Sequence, residues 1–189
     1  MVKGSYELEP GAAIQEMVRQ LDVLAGKRFP IDEVRTALEQ MSCALSDLEP
    51  YVFYSIEYYT RNLIYHSPLY ELVLLCWMPG QKTPIHGHEG EKCWMRVIDG
   101  SLQVSNYSKA SPLDGGGLKQ DLVAQVPAGS VEGPFFTNQV ANITDHKSIS
   151  LHLYARPFYE CDVFEEMLST KKRMNLSFFS MFGKIVRSV

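Results

Sequence analysis

The first fifty residues carry apolar side chains at the spacing of helices. Between residues 10 and about 25 these side chains fall on one face of an amphipathic helix, at Ile14, Met17, Val18, Leu21 and Leu24. A second helix is predicted after Pro30, with Val34, Leu38 and Met41 on one side. Residues 46–49 suit a short helical turn that is closed by Pro50. The chain therefore begins with two or three short helices.

After residue 50 the pattern changes to short stretches rich in aromatic and β-branched residues. Residues 51–65 open this part, and further strands are predicted between Pro, Gly, Asp or Ser clusters. They are 72–77, 92–98, 102–107, 118–126, 140–143, 148–154, 161–164 and 174–179. The pair Asp99-Gly100 is a hairpin signal, since both residues tolerate positive φ. Many short strands at near-regular spacing predict an antiparallel barrel or jelly roll, so the fold class is mainly β.

Length and charge limit the function classes. A chain of 189 residues fits one domain, 1–189, in which a helical segment, 1–50, packs on a β-barrel, 51–189. The net charge of −4 offers no broad basic field, so we expect neither nucleic acid nor an anionic membrane as a partner. The longest apolar run, 72–78, is far shorter than the roughly 20 residues of a membrane span.

The four cysteines are expected to be free thiols. They contain no Cys-x-x-Cys pair, so a zinc ribbon is not predicted: Cys43, Cys76, Cys93 and Cys161. The N-terminus has a lysine but no apolar stretch behind it, so we expect no secretory signal. Both observations favour a reducing compartment, and the expected location is the cytoplasm.

His86-Gly87-His88 is the first candidate for chemistry. It follows Pro84-Ile85, where a strand is expected to begin, and residues i and i+2 of a strand point to the same face. Both imidazoles can then reach one ion, and imidazole suits iron, nickel, copper and zinc. Two surface histidines would give the same pattern, so its meaning depends on the surrounding sequence.

That surrounding sequence has the spacing of the first cupin motif. Gly80 lies six residues before His86, Gly100 lies twelve after His88, and the usually acidic position is Cys93. The cysteine at that position resembles the cysteine dioxygenase family. Further segments match the same family over essentially the whole chain: Tyr59-Thr60-Arg61-Asn62-Leu63, Leu74-Leu75-Cys76-Trp77, Ser150-Leu151-His152-Leu153-Tyr154 and Phe178-x-Ser180-x-Phe182-Gly183.

The resemblance implies that the fold is a small cupin β-barrel (jelly roll) and that the protein catalyses the reaction of the family. The family oxidises a thiol to a sulfinic acid with O2 at a non-haem iron(II). The implied partners are therefore L-cysteine or a close thiol analogue and O2, and the implied cofactor is Fe(II), with nickel or another divalent metal as alternatives. We expect a monomer.

The resemblance also assigns roles to individual residues. Arg61, with Tyr59 beside it, would bind the substrate carboxylate, for which a planar guanidinium fork is suited. Cys93 and Tyr154 match the pair that forms a thioether cross-link in animal members of the family. Ser150, His152 and Tyr154 alternate along one strand and would form a hydrogen-bonded relay ending at the tyrosine. In this relay the serine orients the histidine and does not act as a nucleophile.

One position departs from the family. The family binds iron through three histidines, and Asn138 stands where the third belongs. Asn138 or a water can complete the site, Glu132 can form a two-histidine-one-carboxylate triad, or metal binding is lost. His146 is near in sequence but is expected in an exposed turn. We expect retained metal binding. The alternatives to cysteine oxidation are a diverted thiol oxidation, such as oxidative decarboxylation, and a degenerate, non-catalytic thiol-binding cupin.

Overall fold

The computed structural model describes residues 10–109, 117–164 and 171–186. Its helices are α1 (Ala12–Gly26), α2 (Ile31–Gln40) and α3 (Leu45–Leu48), followed by a 3-10 turn at Glu49–Tyr51. The predicted N-terminal helices are confirmed. The expectation that Pro50 closes the last helical turn is wrong. Pro50 lies near the start of the 3-10 turn, where the missing N–H of a proline costs nothing. In the described ranges no helix has the length and apolar character that crossing a membrane requires.

The strands divide into two sheets. In the described part of the chain they are β1 (Thr60–His66), β2 (Tyr70–Trp77), β3 (Ile85–Gly87), β4 (Lys92–Asp99), β5 (Ser101–Lys109), β6 (Leu118–Pro127), β7 (Val131–Glu132), β8 (Thr137–Ala141), β9 (Ser148–Ala155), β10 (Glu160–Phe164), β11 (Lys171–Asn175), β12 (Ser180–Met181) and β13 (Lys184–Ile185). A seven-stranded sheet has the order β13-β12-β1-β2-β9-β4-β7, and a six-stranded sheet has the order β11-β10-β3-β8-β5-β6. The predicted mainly β fold is confirmed.

Several predicted strands differ from the observed ones. The aromatic stretch 51–65 forms a strand only from Thr60, β8 ends at Ala141, and β11 ends before most of the predicted 174–179. The hairpin prediction at Asp99-Gly100 is wrong. β4 pairs with β7 and β9, whereas β5 pairs with β6 and β8, so this turn carries the chain from one sheet to the other.

The seven-stranded sheet is covered on both faces. One face packs against the helices, through residues such as Leu21 and Leu38 against Leu72 and Leu153. The other face packs against the six-stranded sheet, through residues such as Val73. Because both faces are covered, every residue of β2 and β9 is buried, which explains the unbroken apolar run in β2.

A β-bulge in β1 determines which side chains enter the space between the sheets. The register with β2 shifts between Leu63 and Tyr65. Leu63 belongs to the core between the sheets, whereas Ile64 and Tyr65 both pack on the helix side. The extra residue changes the alternation, so His66 comes opposite Glu71 at the end of the strand.

Candidate active site

His86 lies on β3 and His88 directly follows this strand, and each ring contacts a backbone carbonyl through Nδ1. The Nδ1 atom of His86 lies 3.1 Å from the carbonyl oxygen of Pro84, and that of His88 lies 3.2 Å from the carbonyl oxygen of Phe136. A carbonyl only accepts hydrogen bonds, so each Nδ1 carries the proton and each Nε2 keeps its lone pair. The two ring centroids are 4.9 Å apart. Both imidazoles are thereby oriented as ligands for one ion.

Burial keeps both rings neutral. It lowers the pKa of His86 to about 4, and together with the neighbouring His86 it lowers that of His88 to about 3. A neutral imidazole is the form that binds a metal. No proton has to be displaced from either ring at neutral pH before a metal binds.

Asn138 places an oxygen atom that could bind a metal beside the two imidazoles. It lies on β8 directly opposite His86 in the strand register, and its side chain is buried. Its Oδ1 atom has no hydrogen-bond donor, although leaving a buried carbonyl unsatisfied costs about 1–3 kcal/mol. A metal ion would satisfy this oxygen, so the residues present fit a divalent ion with two nitrogen ligands and one oxygen ligand.

The other candidates for the third ligand lie elsewhere. Glu132 is on β7, opposite Met95, and lines a separate outer groove. His146 is on the surface, with its side chain 83% exposed, as the sequence predicted. Within the described ranges no group of three His, Cys, Asp or Glu side chains could hold a metal. Of the two named candidates, the structure brings Asn138 and not Glu132 to the histidines.

Most of the predicted site residues line one small cavity between the sheets, whereas Ser150, Cys93 and Glu132 are not part of its lining. Its volume is about 20 Å³, which is room for roughly one water-sized group. The site residues in its lining are Tyr59, Arg61, His86, His88, Asn138, His152 and Tyr154. A ligand the size of an amino acid therefore requires the half-buried Phe158, Met174 and Leu176, which also line it, to shift.

Arg61 directs part of its guanidinium toward the cavity. Its Nη1 donates to the Tyr154 hydroxyl at 3.2 Å, and the group also lies 5.5 Å from the Phe178 ring centroid. Its buried Nε has no acceptor. Burial opposes the positive charge, but the neighbouring Tyr154, Tyr59 and Glu71 outweigh it and raise the pKa. Arg61 is therefore a charged donor with capacity left for an anionic ligand.

Ser150 and His152 form the first part of the predicted relay. The Ser150 hydroxyl and His152 Nε2 are 2.9 Å apart, and the Trp77 indole donates to the same hydroxyl at 3.0 Å. The His152 and Tyr154 rings then stack, with centroids 5.9 Å apart. Burial lowers the pKa of His152 well below its ordinary value, so this ring is also neutral. The hydrogen bonds therefore run from Trp77, which also stacks on Tyr59, to His152, and the relay reaches Tyr154 by ring stacking and not by the predicted hydrogen bond.

Cys93 and Tyr154 face each other across β4 and β9. They are register partners, and both are buried in the core between the sheets. Burial raises the pKa of both the thiol and the phenol, so both groups are neutral. All four cysteines are free thiols, as the sequence predicted.

Sequence reasoning missed Glu71. This residue is completely buried, and its Oε1 lies 3.7 Å from Nη2 of Arg61. The available signal was a charged residue inside the otherwise apolar strand β2, residues 70–77. Such a residue needs a partner, but the sequence did not show which one.

Comparisons with known proteins identify the family of this chain. The family model described as cysteine dioxygenase type I matches residues 3–167. Cysteine dioxygenase type 1 of Bos taurus is 25% identical over 175 residues, covering 90% of this chain and 88% of its own. The Rattus norvegicus enzyme of that name is 24% identical over 182 residues, covering 94% and 91%.

Solved structures were compared as well. A conserved protein with a double-stranded β-helix domain from Klebsiella pneumoniae matches 58% of this chain and 81% of its own, with 18% identity and a TM-score of 0.47. The family model spans most of the chain, including the histidine pair and the Ser-x-His-x-Tyr strand. The chain therefore belongs to the cysteine dioxygenase type I family of oxidoreductases.

Proposed function

We propose that this protein is an iron(II)-dependent thiol dioxygenase that oxidises L-cysteine, or a close thiol analogue, to the sulfinic acid in the cytoplasm, as a monomer. The observation that carries the proposal is a shared cavity. It combines two neutral imidazoles, the unsatisfied Oδ1 of Asn138 and the available Nε of Arg61. A metal site and an anion site within one cavity suit a thiol that also carries a carboxylate.

The overall reaction balances without a further reductant. The thiol R–SH and O2 give R–SO2H, in which sulfur loses four electrons and both oxygen atoms are incorporated. Bound iron(II), held by His86, His88 and Asn138, supplies the redox chemistry that activates O2. The protein supplies binding, orientation and charge.

The other residues position the substrate. Arg61 binds the carboxylate, and Tyr59, stacked on Trp77 with centroids 4.8 Å apart, forms a fixed wall beside it. The Tyr154 hydroxyl accepts a hydrogen bond from Arg61, so its own proton remains available toward the substrate or oxygen. The Trp77–Ser150–His152 hydrogen bonds hold the ring that stacks on Tyr154.

Cys93 and Tyr154 are also proposed to form a thioether cross-link. Their facing positions on β4 and β9 support this bond. Joining the cysteine sulfur to a ring carbon removes two hydrogen atoms, with O2 as the oxidant. Protein exposed to iron and cysteine in air should therefore contain a fraction lighter by two hydrogens, which Cys93→Ser abolishes. A unique, unchanged mass in intact-protein mass spectrometry would contradict the cross-link.

The activity is tested by loading the protein with iron anaerobically and then measuring O2 uptake with L-cysteine. We expect one O2 per cysteine sulfinic acid formed, with the product identified by mass spectrometry. His86→Ala should lose both iron and O2 uptake. No uptake at full iron occupancy overturns the dioxygenase proposal.

The neutral amide of Asn138 favours one alternative, a diverted oxidation of another thiol. A panel of small thiols tested with iron and with nickel separates this alternative from cysteine oxidation by the products. A non-catalytic thiol-binding protein would instead hold sub-stoichiometric metal, and its thiol affinity would not change in His86→Ala. Elemental analysis and thiol titration of that variant distinguish this case.

A further inference from the structure

Glu71 is a buried carboxylate without a hydrogen bond. It lies on β2 in the alternating set that includes Val73 and Leu75, both in the core between the sheets. Its side chain is 0% exposed, and neither carboxylate oxygen has a donor. Buried carboxylates are normally paired and hydrogen-bonded, because an isolated buried charge is costly. An arrangement so unfavourable for folding indicates a role at the neighbouring site.

Groups on three neighbouring strands face this carboxylate. Arg61 Nη2 is 3.7 Å from Oε1, and His66 Nδ1 is 3.7 Å from Oε2, both from β1. Tyr154 on β9 is in register with Glu71, and Cys93 on β4 is the next partner across the sheet. Burial raises the pKa of the Tyr154 phenol and of the Cys93 thiol, so both are neutral. Arg61 is therefore the charged group that acts on Glu71, and it opposes the effect of burial on the pKa of this carboxyl.

The pairing of Arg61 with Glu71 leaves the guanidinium available. A separation of 3.7 Å is longer than a hydrogen bond, and Arg61 Nε has no acceptor. A ligand carboxylate bound to Arg61 would put a second negative charge beside Glu71 in a poorly solvated space. Two carboxylates that share one site cannot both remain ionised at low cost, and one of them takes up a proton.

We propose that Glu71 is a specificity-determining residue, which makes binding of a carboxylate-bearing thiol at Arg61 conditional on the uptake of one proton by Glu71. The proposal rests on the proposed thiol site. Burial raises the pKa of Glu71 to about 7, which puts this protonation within reach near neutral pH. The side chain of His66, 37% exposed, lies 3.7 Å from Oε2, so a single side chain separates the buried carboxyl from solvent.

The proposal predicts a difference between two thiols that differ only in the carboxylate. L-cysteine should bind more weakly as the pH rises above 7, by up to about tenfold per pH unit, since one proton is taken up. Cysteamine has the same thiol and amine but no carboxylate, so it should not show this additional dependence. Proton changes at the thiol and amine cancel in the comparison.

The experiment is anaerobic calorimetry on the iron-loaded protein, in which no oxidation occurs. Each thiol is titrated between about pH 6 and pH 9 in buffers of different ionisation enthalpy, which counts the protons taken up. At the alkaline end, L-cysteine should take up about one proton more than cysteamine. This comparison requires only the wild-type protein.

Variants then assign the proton to Glu71. Glu71→Gln should bind L-cysteine with the pH dependence of cysteamine, and more tightly than wild type above pH 7. The matched control is Glu91→Gln, because Glu91 also lies 3.7 Å from an arginine, Arg156, but at the surface. This control should behave as wild type.

The outcomes separate the two proposals. Equal proton uptake for both thiols, or an unchanged difference in Glu71→Gln, overturns the role of Glu71 and leaves the thiol site standing. Binding of cysteamine alone at every pH also overturns it. If neither thiol binds at any pH, both the role of Glu71 and the proposed function fail.

Discussion

At the scale of single residues, the proposed metal site depends on a neutral amide. Asn138 lies opposite His86 with an unsatisfied Oδ1, whereas Glu132 lines another groove. Loss of a residue that only hydrogen-bonds to a metal ligand weakens metal binding roughly 10- to 100-fold. Asn138→Ala, which removes the proposed ligand itself, should weaken iron binding at least as much. Glu132→Ala should leave iron binding unchanged. Iron content after dialysis against a graded chelator measures both, and the reverse pattern would make Glu132 the ligand.

The Tyr154 hydroxyl gives a second prediction at this scale. Tyr154→Phe removes the acceptor of the Arg61 Nη1 hydrogen bond and also the hydroxyl proton proposed to act on the substrate or oxygen. Because this group is proposed as a positioned proton donor and not as a metal ligand, kcat should fall about 10²-fold, while iron content stays unchanged. Tyr159→Phe, on an exposed side chain, is the control. An unchanged kcat in steady-state O2 uptake would exclude the hydroxyl from the reaction.

At the scale of elements, a close backbone approach fixes β7 against β4. Gly133 has φ +112°, and a Cβ there would lie 2.5 Å from the carbonyl oxygen of Cys93. Gly129 also has positive φ, +89°, but a Cβ there would meet nothing within 4 Å. Gly133→Ala should therefore lower the free energy of unfolding for two reasons. The positive φ costs about 1 kcal/mol of backbone strain, and the overlap of the new Cβ with the Cys93 carbonyl costs roughly 1–3 kcal/mol more. Gly129→Ala should cost only the strain. Urea unfolding measures both, and equal losses would contradict the close approach.

The elements also show which parts of the fold the sequence could predict. β2 was predictable from its local apolar run, 72–77, and β9 from the alternation of polar and apolar residues along 148–153. The two-residue strands β7 and β12 were not, because they pair with strands far away in the sequence, β4 and β1. The same limit applies to the site. The motifs predicted Arg61 and the histidines, but the proximity of Glu71 to Arg61 follows only from the fold.

At the scale of the whole molecule, the helices and the six-stranded sheet enclose the seven-stranded sheet on both sides, and Glu71 is buried within this arrangement. The folded protein must therefore keep a carboxyl group away from water. The cost falls on the ionised form, which is why burial raises the pKa of this group. The stability of the entire fold is thereby linked to the protonation of one side chain.

The sign of that linkage is determined by the direction of the pKa change. The pKa of Glu71 rises from 4.5 to about 7 on folding, so between these pH values the folded protein keeps a proton that the unfolded chain releases. Stability from this group is complete below pH 4.5, falls as the pH rises, and is lost above 7, a loss of about 3 kcal/mol. Glu71→Gln has no group that titrates here, so its free energy of unfolding should not fall in this way. Between pH 4.5 and 7 the difference between the variant and wild type should therefore grow by about 3 kcal/mol in favour of the variant. Chemical denaturation across this range measures the difference. Glu91→Gln should run parallel to wild type, and a gap between Glu71→Gln and wild type that stays constant with pH would show that Glu71 is already ionised in the folded protein.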